Sequence, residues 1–161
     1  MLAGKKIILC SNTSWNIYNF RLNLARALRQ KGIEVVIAAP SDEFSERIRE
    51  EFPFISLKHL KRKSRFLLSD ILFFCELYNI YKRERPDLVL HFTIKPNIYG
   101  SFACGVLKIP AIANVTGLGY AFTQKRIISL AAKGLYRFSL KFSQKVVFQN
   151  PVDLEYFTRE R

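Results

Sequence analysis

At 161 residues the chain is long enough for one domain with a proper core and too short for two large ones. Apolar residues make up 49% and aromatics 14%, which excludes a disordered chain. Lys and Arg number 26 against 13 Asp and Glu, a formal net charge of +13 that suits phosphate, an acidic lipid layer or nucleic acid as partner. The excess is uneven. Residues 1–57 carry 8 basic and 6 acidic groups, 58–85 carry 8 and 3, and 86–161 carry 10 and 4.

In chain order, KKIILC gives a first buried strand over 7–10, followed by a polar loop, SNTSWNIYNFR (11–21), without a glycine. A helix follows, with Leu24, Ala25 and Leu28 on one face and Lys31-Gly32 as its stop. EVVIAA (34–39) is the second strand, and Ser41–Glu51 a short helix opened by a Pro-Ser-Asp cap. FISL (54–57) is a weak strand suited to a sheet edge. A helix runs from Leu67 to Arg83, with Leu68, Ile71, Leu72 and Cys75 on one face, and ends at Pro86. DLVLHF (87–92), IPAIANV (109–115) and KVVFQN (145–150) are further strands. Helices from Pro96 to Leu107, from Lys125 to Phe142 and from Asp153 onward alternate with them. The apolar runs are continuous, not alternating, as in strands covered on both faces. The order predicts an α/β domain, a Rossmann-like doubly wound parallel sheet with helices on both faces. Ligands of such domains collect beyond the carboxyl ends of the strands.

Two of these strand-end loops carry candidate chemistry. HFTIKPN places His91 near the end of the fourth strand, where an imidazole can bond a substrate hydroxyl, carry a proton, or serve the structure alone. Lys95 offers a point charge to a phosphate, beside a helix N-terminus after Pro96, or is a plain solvated lysine. NVTGLGY allows close backbone approach at Gly117 and Gly119 to an anion or sugar oxygens, or makes a simple turn.

Cationic segments make a second theme. KHLKRKSR holds Lys58, Lys61, Arg62, Lys63 and Arg65 just before an aromatic helix carrying Phe66, Phe73, Phe74, Tyr78 and Tyr81. Arg126, Lys133, Arg137 and Lys141 share one helical face with Leu130 and Leu140. Basic and apolar groups together are what a helix needs at the headgroup level of a membrane; taken singly, each is a solvated face. No run is long enough to span a bilayer and the N-terminus lacks a secretory signal, so the expected location is cytoplasmic. Cys10, Cys75 and Cys104 form no pair pattern and read as small core residues in a reducing compartment. Two distant histidines, His59 and His91, make no metal site, and no cofactor motif is present.

SNTSWNIYNFR, LHFTIKPNIYGS, NVTGLGYAF and KVVFQNPVDLEYF, in this order, resemble the N-terminal half of bacterial family-4 glycosyltransferases. The likeness is nearest to the branch that builds lipid-linked intermediates of capsule, O-antigen or glycoprotein glycans. It covers nearly the whole chain. The resemblance implies half of a GT-B architecture, with retention at the anomeric carbon and no metal. An N-terminal domain of that family receives a lipid-linked glycan acceptor and lies against the membrane, while a C-terminal domain binds the nucleotide-sugar donor. Carried over, Asn12, Thr13, Ser14, Asn19 and Arg21 face the acceptor and the donor's phosphates. His91 and the Thr116–Gly119 loop line the same cleft, which puts Lys95 and Asn97 beside it. Trp15 or Tyr18 offers a face to sugar, or Trp15 and Phe20 pack the helix on the sheet, a role that suits Phe20 better. The family's Glu-x7-Glu donor pair has chance matches at Glu43/Glu51 and Glu76/Glu84, both on helices of this first domain.

The function expected is therefore acceptor and membrane binding in a glycosyltransferase, peripheral on the inner face of the cell membrane. With its donor domain absent, the chain alone is expected not to turn over. A membrane-binding subunit beside a separate donor-domain chain is the alternative. A basic nucleic-acid-binding protein is a weaker one, since no nucleic-acid-binding module is visible.

Overall fold

A computed structural model of the protein describes residues 3–60, 67–117 and 134–158. Six strands, β1 (Lys6–Cys10), β2 (Glu34–Ala39), β3 (Phe54–Ser56), β4 (Leu88–Phe92), β5 (Ala111–Val115) and β6 (Lys145–Phe148), form one sheet. All neighbours pair in parallel, in the order β3-β2-β1-β4-β5-β6. The helices are α1 (Ser14–Phe20), α2 (Leu22–Gln30), α3 (Ser45–Arg49), α4 (Leu67–Glu84), α5 (Ser101–Leu107), α6 at residues 134–140, and α7 (Pro151–Thr158). A π-helical turn, Pro96–Gly100, leads into α5.

Side-chain alternation along the central strands explains why their sequences are apolar throughout. Ile7, Leu9, Val35 and Ile37 point into one core with Ile17, Leu22, Ala25 and Ile48 of α1–α3. Ile8, Cys10, Val36 and Val89 point into the other, against Phe73, Leu77, Ile80 and Tyr81 of α4 and Ala103 and Cys104 of α5. A strand covered twice needs apolar residues at every position. β3 is a short edge strand, as FISL suggested, and β6 is the opposite edge.

Several local expectations are corrected. The glycine-free stretch after β1 is mostly helix: Thr13 Oγ1 accepts from Asn16 N (3.1 Å) and caps α1 from Ser14 onward. Only Ser45–Arg49 of the expected 41–51 helix is helical, because the Asp42 carboxylate accepts from Phe44 N and holds residues 42–44 as a turn. On α2 the buried pair is Leu22 and Ala25, and Leu24 is exposed. On α4 the face with Leu68, Ile71, Leu72 and Cys75 is the solvent side, so Cys75 is no core residue. The core takes Phe73, Leu77, Ile80 and Tyr81 instead, since burying the larger aromatics removes more apolar area from water. Phe20, expected to pack α1 on the sheet, is 57% exposed and meets Trp15 edge-on at 5.3 Å.

Candidate functional site

The chain leaves β1 toward β2 and β3, then crosses back to place β4 on the other side of β1. The carboxyl ends of β1 and β4 therefore lead into loops on either side of the strand-order reversal, the place where open α/β sheets form their ligand crevice. Arg21 and Phe92 meet there. Arg21 breaks the helix between α1 and α2, and its guanidinium lies 4.6 Å from the centre of the Phe92 ring. Its Nε is buried without a hydrogen-bond partner, and no carboxylate pairs with it among the described residues. Burial lowers its pKa from the ordinary arginine value, a measure of desolvation without compensation. A guanidinium stacked on a ring and lacking an acid is preorganised for an external oxyanion.

Thr93 follows directly. Its φ is +73°, a left-handed conformation that a β-branched residue adopts only under constraint, and its Oγ1 is buried without a partner. The Thr93 carbonyl accepts from Asn97 N at 3.0 Å, closing the loop onto the π turn. Asn97 is fully buried and donates to Asn114 O (2.9 Å) and to the Tyr136 hydroxyl (2.7 Å), tying β4, β5 and α6 into one knot. The Oδ1 atoms of Asn97 and Asn114 are buried acceptors without partners. Buried polar atoms are rarely left unsatisfied, and among the described residues the five such side-chain atoms lie at or near the carboxyl ends of β4 and β5 or on Arg21.

The sequence candidates divide clearly. His91 is completely buried, and its Nε2 lies 2.9 Å from the Tyr81 hydroxyl. Burial pushes its pKa down to about 3, so the imidazole is neutral near pH 7. The ring fills the space beside Gly100, where any Cβ would overlap it. A ring so enclosed does not reach the crevice, and this placement favours the structural role over proton transfer. Lys95 is bound to Asp70 of α4 (2.7 Å), so its charge is already matched. Thr13 is used as a cap, Ser14 Oγ donates to Pro40 O (2.7 Å), and Asn19 Nδ2 donates back to Trp15 O (2.9 Å). Asn12 is half-buried at the rim and Trp15 is exposed there. Thr116 and Gly117 follow β5, with Gly117 at φ +127° and open space where a Cβ would stand. Gly119, Lys61, Arg62, Lys63, Arg65, Arg126 and Lys133 lie outside the described residues. Lys58 and Lys141 are exposed, and Arg137 is half-buried.

Sequence reasoning missed Phe92, Asn114 and Tyr136, and it found Thr93 in the HFTIKPN loop without its strained backbone. Phe92 and Asn114 sit inside strand runs, and nothing in a threonine announces a positive φ. The pairing of Asn97 with Tyr136 spans 39 positions and emerges only from the fold.

A parallel sheet in this order defines a Rossmann-like domain of the kind found in GT-B glycosyltransferases and related epimerases. A family model described as glycosyl transferase 4-like matches residues 6–150, and the chain belongs to that family. One curated relative is the N,N'-diacetylbacillosaminyl-diphospho-undecaprenol alpha-1,3-N-acetylgalactosaminyltransferase of Campylobacter jejuni. It is 26% identical over 156 residues, which cover 94% of this chain and 42% of the relative. The chain thus spans less than half of that relative's length. Among solved structures, Acinetobacter baumannii MurG matches with a TM-score of 0.64 at 14% identity, over 91% of this chain and 42% of that one. A Rickettsia africae glycosyltransferase matches with a TM-score of 0.67 at 16% identity, over 96% and 40%. A UDP-N-acetylglucosamine 2-epimerase reaches 0.70 at 14% identity, over 98% and 45%. These likenesses establish the fold.

Proposed function

We propose that the chain is the acceptor-binding half of a glycosyltransferase that moves a sugar from a nucleotide-sugar donor to a lipid-linked glycan. The polysaccharide it serves is of the capsule, O-antigen or related kind. The observation that carries this reading is the Arg21–Phe92 stack in the crevice, an unmatched cation held where an anionic ligand would enter. The named activity of the Campylobacter jejuni relative, which acts on a diphospho-undecaprenol-linked sugar, supplies the ligand class. Arg21 offers its terminal N–H groups to a diphosphate oxygen, and Trp15 at the rim offers a flat face to a sugar ring. His91 serves by position: its ring fixes β4 against α4 and sets the π turn that carries Asn97.

In transfer, an acceptor hydroxyl displaces the donor's diphosphate at the anomeric carbon. In this reading the donor is held by a second domain, and the 161 residues supply the acceptor side. Among the described residues no helix is long and apolar enough to cross a membrane. The reading places contact with the lipid-linked substrate at the inner face of the cell membrane, by peripheral attachment. Calorimetric titration with a soluble short-chain isoprenyl-diphosphate saccharide tests the reading. Binding at least about tenfold weaker in Arg21→Gln, and partly kept in Arg21→Lys, is expected. Equal affinity in all three would remove Arg21 from the site.

A further inference from the structure

β4 ends at Phe92 and helical backbone begins at Ile94, so one residue, Thr93, makes the whole turn between them. It does so at φ +73°, which is unfavourable for a β-branched side chain. Strain of this kind persists only where the surroundings over-determine it. The residues after Thr93 are held from three sides. Pro96 opens the π turn with its fixed φ. Asn97 is tied to β5 and α6 through Asn114 O and the Tyr136 hydroxyl.

The third holder is a charge. Asp70, in the first turn of α4, accepts from Lys95 Nζ at 2.7 Å. Tyr99, inside the π turn, presents its hydroxyl to the same carboxylate. Burial, and the hydrogen bond to Asp70, raise its pKa from the ordinary tyrosine value. The Tyr99 ring also meets Phe73 of α4 edge-on at 6.0 Å. One carboxylate thus grips the residue before the π turn and a residue within it. The Lys95 and Asp70 side chains are only 20% and 24% exposed, so water and salt screen the pair less than they screen one on the open surface. A π turn is a rare form of backbone, frequent at functional sites, and this one fixes where the helix after β4 begins. Releasing it from α4 frees the turn to slide and Thr93 to relax toward negative φ. That movement shifts the residue on the other side of Thr93, Phe92, whose ring lies 4.6 Å from the Arg21 guanidinium.

We propose that Asp70 is a positioning residue: by holding Lys95 and Tyr99 it keeps Thr93 in the strained turn that seats Phe92 against Arg21. Asp70 acts through these residues and not on the ligand. The inference rests on the oxyanion role proposed for Arg21 and adds the group on α4 that sets its geometry.

Inorganic diphosphate is the probe, titrated calorimetrically into the 161-residue chain well below the melting temperature of every variant. The parent is expected to bind it, and Arg21→Gln to bind at least about tenfold more weakly. Asp70→Asn should weaken binding about tenfold while far-ultraviolet circular dichroism shows the chain still folded. Adding Thr93→Gly to Asp70→Asn should restore most of that loss, because glycine takes positive φ without strain and the turn then keeps its place unaided. A role for Asp70 in stability alone would leave the double variant as weak as Asp70→Asn. That result, or unchanged binding in Asp70→Asn, would overturn the inference while the Arg21 reading stands. Thr93→Gly alone should raise the melting temperature by a few degrees. A fall would show that Thr93 carries no strain, and would overturn the inference even where Asp70→Asn does not fold. Diphosphate binding that is absent in the parent, or equal in Arg21→Gln, would remove the Arg21 reading and the inference with it.

Discussion

The α1–α3 and α4–α6 layers each bury an apolar cluster against one sheet, yet they solve their outer faces differently. On α1–α3, arginines meet acids or aromatic faces. Arg26 Nε donates to Glu51 (2.8 Å), Arg29 approaches Glu51 and stacks on Phe52, and Arg49 pairs with Glu46 and stacks on Phe54. On α4–α6, charge is thin and apolar side chains stay uncovered. A surface whose charges are paired is complete in water, whereas one with exposed apolar groups keeps apolar area in contact with solvent. The difference teaches that patterning alone does not separate core from contact surface, because both need apolar residues at helical spacing.

The largest effect is expected inside the α4–α6 layer. Gly100→Ala would drive a Cβ into the His91 ring, which is held by Tyr81 and cannot retreat, and should cost about 3 kcal/mol in urea unfolding. Gly105→Ala meets the Phe142 ring, which is partly exposed and free to turn outward, and should cost less than about 1 kcal/mol. Equal costs would show that the buried seam and the outer surface do not differ in rigidity.

Next in size is a pH dependence. Burial depresses the His91 pKa from 6.5 to about 3 in the folded protein. Between those values the unfolded chain binds a proton that the native chain refuses, so this contribution to stability falls as pH drops through that window. Stability above about pH 7 should be insensitive to His91. A nuclear magnetic resonance titration showing His91 protonated at pH 6 would mean the ring is open to the crevice after all.

The smallest effects belong to the outer faces. Removing the Arg26–Glu51 contact by Arg26→Met should lower the melting temperature by no more than about 2 °C, because exposed pairs contribute little. Leu68→Ser should be similarly quiet in melting, because Leu68 is exposed. A large loss of stability in Leu68→Ser would show that the α4 stripe is covered within the protein.

Much of the architecture was legible in the sequence because covered strands need continuous apolar runs. IILC, EVVIAA and DLVLHF could hardly be anything else, and the alternation with helices then led to a doubly wound sheet. The start of α1 was hidden because its cap, Thr13, sits in a polar stretch that resembles a loop. The α4 face was misassigned because two apolar stripes coexist on that helix, and sequence does not say which meets the sheet. At the site, Arg21 was legible as a cation at a strand-end loop, but its ring partner and missing acid were not. His91 stood out by residue type, and only packing against Tyr81 and Gly100 reveals how enclosed it is.

The central claim is tested most directly by sugar transfer in a protein that carries this domain together with a donor-binding domain. Radiolabelled nucleotide sugar and a polyprenyl-diphosphate-linked glycan are the substrates. Incorporation into the lipid fraction, reduced about tenfold or more by Arg21→Ala, is the predicted result. Transfer that proceeds unchanged in Arg21→Ala, or no transfer to any lipid-linked acceptor, would contradict it.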